Sequence, residues 1–415
     1  MPPRSLRASG SMILLGGGIV LIAANLRPAL ASVATVLDQL HAGLGLSATG
    51  AGLLNALPVI VFGLGAPLAP LLARRTGIER TLLVALLLLI AGAAIRLVGS
   101  QTLLFIGTII LSCGIAIANV LLPALVKRDF PHRIGLMTGL YTTSLSAAAS
   151  LAAGTTVPLG AAIGLDWRGA LGVWIVPTVL ALIVWLPQAR HARPGTRSGP
   201  RTAGGGVSSL LRNGLAWKFT LFMGLLSLTY HTVLAWLPSI YTAHGLSLST
   251  AGGLLSIATV VATPVTLVLP AVASRRRDQR WWVAALTTLT AAGLTGLLIA
   301  PTAAPYLWAV LIGLGMGAAF PLGLAMIALR TRTSDGATDL STMVQSFGYV
   351  IAGLGPLAVG ILREVTGSWT PTVAVLLALL VPQLLAGLAS ARDRYIEPGD
   401  SPPTDAKSSG TVKIV

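Results

Sequence analysis

Ala23-Ala24-Asn25-Leu26-Arg27-Pro28-Ala29-Leu30 places an amide, a guanidinium and a proline inside the first long apolar run of the chain, roughly residues 12–37. An arginine at the centre of a bilayer costs roughly 2.5–3.5 kcal/mol on insertion scales, so such a charge belongs in a protein interior or a wet cavity. Pro28 has no N–H, and in a continuous helix it would leave the Ala24 carbonyl, four residues back, without its partner. Charge, amide and freed carbonyl within two turns read as a polar site inside a membrane.

The rest of the composition supplies that membrane. Of 415 residues, 54% are hydrophobic and only 10% charged, against about 25% charged in a soluble domain. The mean hydropathy is +0.84. Lipid leaves only helices or closed barrels able to satisfy the backbone. Continuous apolar runs of about 20 residues specify helices, whereas a barrel would show short alternating strands. Twelve runs can be counted, at about 12–37, 48–72, 81–99, 103–126, 135–160, 169–187, 215–240, 250–273, 281–300, 304–329, 340–363 and 371–391. With the N-terminus cytoplasmic, 24 of the 28 lysines and arginines fall in cytoplasmic segments, leaving Arg27, Arg96, Arg168 and Arg363. By the positive-inside rule this places both termini in the cytoplasm, and the net charge of +16 reflects topology rather than nucleic-acid binding. The first run is too long for a secretory signal and lacks a cleavage pattern, so it reads as a retained helix. A single cysteine, Cys113, excludes an intramolecular disulfide.

The two halves of the chain resemble each other at an offset of 200. Gly45-Leu46-Ser47 returns as Gly245-Leu246-Ser247, and Pro70, Ala73 and Arg75 return as Pro270, Ala273 and Arg275. The expected organisation is an N-terminal six-helix bundle over 1–187 and a linker rich in Arg, Gly, Ser and Pro over 188–214. A second six-helix bundle follows over 215–394, then a disordered tail over 395–415. Two six-span halves in one orientation predict an all-α integral membrane protein of twelve transmembrane helices in two pseudo-symmetric bundles, the layout of the major facilitator fold, with its substrate site between the halves.

Enzyme signals are absent: there is no HExxH, GxSxG or P-loop pattern, and the five histidines are scattered, leaving little for a metal site. No cofactor is expected. The twelve acids lie in loops, at span ends or in the tail, none at mid-membrane. At membrane depth the polar set is cationic and amide-rich: Arg27 and Asn25 in span one, Asn55 in span two, Arg96 in span three, Asn119 in span four and Tyr141 in span five. Tyr230 and His231 follow in span seven, and Gln345 and Tyr349 lie four apart on one face of span eleven. Positive charge without compensating acid favours an anionic or strongly dipolar substrate, and a guanidinium, which grips planar anions with two prongs and keeps its proton, suits a fixed receptor. Structural readings stand beside this one. Arg96, close to an interface, could snorkel. Arg27 could bond carbonyls or Asn119, while Asn55, Asn119 and Gln345 could be interhelical glue. His231, Tyr141, Tyr349, Trp236 and Phe320 could simply pack.

At these residues the chain resembles the cyanate permease and nitroimidazole transporter branch of the major facilitator superfamily. The matching segments are Asn25-Leu26-Arg27-Pro28, Ala66-Pro67-Leu68-Ala69-Pro70, Asn119-Val120-Leu121-Leu122-Pro123, Met137-Thr138-Gly139-Leu140-Tyr141 and Gln345-Ser346-Phe347-Gly348-Tyr349. The resemblance implies a monomeric transporter in a bacterial cytoplasmic membrane that moves a small substrate such as cyanate or a nitroimidazole by alternating access. Export of nitroimidazole-like drugs is the alternative. The superfamily's usual loop after span two is Gly-x-x-x-Asp-Arg-x-Gly-Arg-Arg. Here Arg74 stands in place of the acid and Glu79 falls elsewhere, so the usual charge latch is not expected to be present in its usual form.

Overall fold

The computed structural model describes residues 4–46, 48–164, 166–190 and 206–396. Every regular element among them is helical. In chain order they are α1 (Arg4–Ala24), α2 (Pro28–Thr35), α3 (Leu37–Leu44), α4 (Ala48–Gly65), α5 (Leu68–Thr76) and α6 (Ile78–Ile95), which ends in a 3-10 turn over Arg96–Val98. Then follow α7 (Gln101–Asp129), α8 (Ile134–Ala162), α9 (Trp167–Gly172), α10 (Ile175–Arg190), α11 (Val207–Leu210) and α12 (Gly214–Ala243). The chain closes with α13 (Leu248–Ala273), α14 (Arg280–Ile299), α15 (Pro305–Leu329), α16 (Ser334–Thr366) and α17 (Thr370–Ser390).

By length and composition, eleven stretches are apolar enough to cross a bilayer, and the bent pair 56–65 and 68–76, turned through 49°, supplies a twelfth. The expected count therefore holds, with two spans broken. The second breaks at Ala66-Pro67, just before α5. The first breaks at the opening motif: α1 stops at Ala24, Arg27 is the N-cap of α2, and Pro28 occupies its first position, where a missing N–H costs nothing. Most of the expected linker, residues 191–205, and most of the expected tail lie outside the described residues. Inside them, α10 continues to Arg190 and the C-terminal strand of backbone is still packed at Ile396, whose N–H donates to the Arg330 carbonyl at 2.7 Å.

Helices of the first and second halves meet chiefly as α8 on α13, α4 on α16 and α7 on α16, with α15 also reaching α7 and α8. The tightest contact is α8 on α13 at the end of the molecule that carries the basic turns. A Cβ on Gly135 would collide with the Pro270 carbonyl, and one on Gly139 with the Leu267 carbonyl. Only glycine lets the two backbones approach so closely. An ion pair closes the same end, Arg74 Nη2 to Asp339 Oδ1 at 3.3 Å, between the last turn of α5 and the start of α16. The end of span two thus does form a charge contact with α16, with its polarity reversed: the arginine sits on the last turn of α5 and the acid on α16. Glu79, displaced from the usual position, instead accepts from Arg128 at 2.6 Å. Arg330, buried at this end, donates to the carbonyls of Arg277 (2.8 Å) and Ala391 (2.7 Å) and to the Gln279 side chain. It ties together the ends of α15, α14 and α17. Toward the opposite end, Ser150 and Gly154 of α8 and Ser256 of α13 are exposed.

Because the Gly139 contact is with backbone, a side chain there has no room unless the halves separate. Gly139→Val is expected to open the basic end. In a Cys113→Ser background, a cysteine introduced at Ser274 should then react faster with a maleimide in Gly139→Val than with glycine retained. Equal rates would remove this contact from the closure.

Candidate functional site

The break at Asn25–Arg27 sets the geometry. With the helical ladder interrupted, Asn25 N–H and Leu26 N–H bond back to Ile22 and Ala23 at 3.0 and 3.1 Å. The Arg27 carbonyl accepts from Leu30 and Ala31, both at 3.0 Å, which starts α2. The Asn25 amide donates to the Leu21 carbonyl at 2.8 Å and accepts from Thr178 Oγ1 at 3.0 Å. Asn25 is thereby buried toward α10, and it pins the end of α1. Arg27 projects the other way, into the space between the two halves.

That space is a narrow cavity, with room in this state for little more than a water molecule. Its walls are Arg27, then Asn119 and Leu122 of α7, Tyr141 and Leu145 of α8, Phe320 and Leu324 of α15, and Gln345 and Tyr349 of α16. Each of the four helices contributes a pair three or four residues apart, which stack on one helix face. Both halves contribute. Arg27 makes no ion pair and no side-chain hydrogen bond to any described residue. Its Nε is buried without a protein partner, and so is the Tyr141 hydroxyl. A buried donor without a partner costs about 1–3 kcal/mol, more when charged, so these groups call for a ligand or water in the cavity. Gln345 donates to Ser341 Oγ at 2.9 Å, leaving its carbonyl oxygen available. Tyr349 is steadied by the Phe62 ring, 5.4 Å away.

Of the residues expected from sequence, Arg27, Asn119, Tyr141, Gln345 and Tyr349 converge here. Of the others, Asn25, Arg96 and His231 do not line the cavity. Arg96 is buried rather than snorkelling, only 3% exposed; its Nη1 donates to the Ala29 carbonyl at 2.7 Å. It therefore clamps α2 just beyond the proline and acts on the Arg27 turn from behind. His231, on α12, has Nδ1 2.7 Å from the Ser227 carbonyl, within electrostatic reach of Arg27. Asn55 lies in α4, and its side chain is outside the described residues. No hydrogen bond joins Arg27 to Asn119. Sequence reading missed Leu122, Leu145 and Leu324, and it took Phe320 for packing. An apolar residue on an apolar helix carries no signal of which way it points. Among the described residues no group of His, Cys, Asp or Glu is placed to hold a metal.

The Major Facilitator Superfamily model matches residues 13–356. The chain belongs to the major facilitator superfamily. It is a multi-pass membrane transporter of small molecules, not an enzyme. It is 40% identical to an uncharacterized transporter of Bacillus subtilis, covering 91% of this chain and 94% of that one. It is also 40% identical to the 2-nitroimidazole transporter of Escherichia coli, over 92% and 97%. Identity to the cyanate transport protein of the same organism is 33%, over 85% and 90%. Among solved structures it is similar to the proton:xylose symporter XylE, with TM-score 0.73, 14% identity, and 94% and 98% coverage. The likeness to the transporter FucP in its outward conformation has TM-score 0.73, 14% identity, and 92% and 99% coverage. Both share the superfamily fold.

Within this superfamily member, Arg96→Met tests the clamp. Arg96 has no acid partner among the described residues, so an apolar chain of similar length strands no opposite charge, and melting temperature is expected to change little. Transport should nonetheless fall several-fold, because the Arg27 turn loses its tether. Unchanged transport would show that Arg96 does not position Arg27.

Proposed function

We propose that this transporter carries a small anion, or a small polar nitrogen compound with an anion-like end, by alternating access through the cavity around Arg27. One observation carries the reading: a guanidinium faces the cavity between the halves with no carboxylate among the described residues to neutralise it. At membrane depth, an unneutralised charge favours a partner of opposite sign over any neutral solute. The positive end of the α2 dipole, which begins at Arg27, adds to the same field. Asn119, Tyr141 and the Gln345 carbonyl are placed to complete the contacts, with Asn25 and Arg96 supporting the turn and His231 adjacent. The names of relatives, a 2-nitroimidazole transporter and a cyanate transport protein, agree with this class.

A second reading, export of nitroimidazole-like compounds, is favoured by the rings of Phe320, Tyr141 and Tyr349 in the cavity wall. A nitro group presents two coplanar oxygens much as a carboxylate does, so the same guanidinium could receive either.

We take the basic end as cytoplasmic and the protein as a monomer. The backbone contacts at Gly135 and Gly139 then close the cytoplasmic side, and the state described faces outward. No acid lies in the cavity wall. Exchange, facilitation, or proton coupling through His231 or the substrate's own proton are the routes that remain.

In proteoliposomes, Arg27→Ala is expected to lower uptake of cyanate or a nitroimidazole by tenfold or more, as roughly 1.5–3 kcal/mol for a hydrogen bond to a charged group implies. Arg27→Lys should keep part of it, since a point charge replaces a fork. Full transport by both folded variants would remove Arg27 from the mechanism. If His231 relays the proton, His231→Gln should abolish the dependence of uptake on a pH gradient. Retention of that dependence would exclude the histidine route.

A further inference from the structure

A groove of about 330 Å³ opens on the outer surface of the second half, lined by Pro264, Val265, Val268, Leu269 and Val272 of α13 and by Trp282 in the first turns of α14. It has a simple packing origin. Helices α13 and α14 both pack extensively on α15 but not on each other, so a cleft remains between them at membrane depth. The α13 residues recur at helical spacing as one stripe running toward the basic end. Val268 is 55% exposed. This stripe is on the face of α13 away from the carbonyls of Leu267 and Pro270 that meet α8.

Two features of the groove are not those of an ordinary lipid-facing surface. The Trp282 indole Nε1 is buried without a protein partner, in a wall that is otherwise apolar. That nitrogen is covered from the groove, so the ring serves as an apolar wall. One turn beyond Val272, where the groove meets the basic end, stand Arg275, Arg276 and Arg277, all exposed. None of the three makes an ion pair with a described acid: the nearby Asp278 carboxylate is taken by Arg280, at 2.7 Å. The surface thus presents an apolar slot walled by Trp282 and, in the turn that follows α13, three exposed guanidinium groups without ion-pair partners among the described acids.

We propose that this groove is a binding site for an anionic phospholipid. One acyl chain lies between α13 and α14 along Pro264–Val272. The Trp282 ring walls the chain at one side, and the phosphate is held by Arg275, Arg276 and Arg277. Charge complementarity selects an anionic headgroup over a zwitterionic one, as basic pockets between membrane helices do elsewhere. The site sits on the outer face of the helix whose inner face closes the basic end, so a bound lipid braces α13 in the closed arrangement.

The test uses the purified full-length chain in detergent, titrated with phosphatidylglycerol or with phosphatidylcholine of the same acyl chains, and read by native mass spectrometry and melting temperature. Wild type is expected to retain phosphatidylglycerol preferentially and to melt higher with it. Replacing Arg275, Arg276 and Arg277 by Gln should weaken phosphatidylglycerol binding by tenfold or more, at about fivefold per arginine near a lipid headgroup. Arg190→Gln, on the first half, should leave it unchanged. Val268→Trp, an exposed position where extra bulk is tolerated by the fold, should block the chain and lower retention of both lipids. Equal retention of the two lipids by wild type would overturn the headgroup assignment. Undiminished phosphatidylglycerol binding in Val268→Trp would overturn the groove as its seat.

Discussion

A guanidinium cannot be left bare in hydrocarbon, and it does not lose its proton to escape the cost. That constraint organises the centre of this molecule. Arg27 has no carboxylate partner among the described residues, so the fold must give it a cavity. The cavity in turn needs a broken helix to aim the side chain, Asn25 bonded to Thr178 to end α1, and Arg96 bonded to the Ala29 carbonyl to hold α2. The two arginines answer the same physical problem differently. Arg96 is satisfied in part by backbone, whereas Arg27 faces the cavity with its Nε unpartnered by protein.

Closure of the basic end depends on the absence of side chains as much as on their presence. At Gly135 and Gly139, α8 meets the carbonyls of α13 directly. An interface of this kind has no soft side chains to absorb a shift, so it is either engaged or parted. The Arg74–Asp339 pair lies at the same end. It is half exposed on the arginine side and contributes little by itself; its value is in specifying which surfaces meet. Exchanging the positions of acid and base leaves that attraction intact, which explains how a chain that departs from the superfamily's usual loop still latches.

Much of the fold was legible because it follows from hydropathy alone. Twelve apolar runs, the basic turns on one side and the repeat of Gly-Leu-Ser and Pro-x-x-Ala-x-Arg led to the superfamily architecture. Within the site, Arg27, Asn119, Tyr141, Gln345 and Tyr349 were readable as polar residues out of place in lipid. Reading them correctly as out of place did not say where they pointed. Asn25 shares a motif with Arg27 but turns toward α10. Arg96 was expected near an interface and is instead buried behind the proline. Phe320 was noticed but weighed as packing, and three leucines of the cavity wall gave no sign at all, because they look like every other residue of their helices.

The sequence by itself determined that this is a membrane-spanning helical protein, how many times it crosses, and that one positive charge at depth has no acid to answer it. These are properties of composition and order, and transfer free energies read them residue by residue. Only the tertiary structure decided which polar groups share a cavity, that the reversed ion pair closes one end, and that α13 and α14 leave a groove between them. The reason is physical. A membrane helix is apolar nearly all round, so its own pattern does not set its rotation. That rotation is set by how neighbouring helices pack, through glycines that admit a backbone and side chains that exclude one.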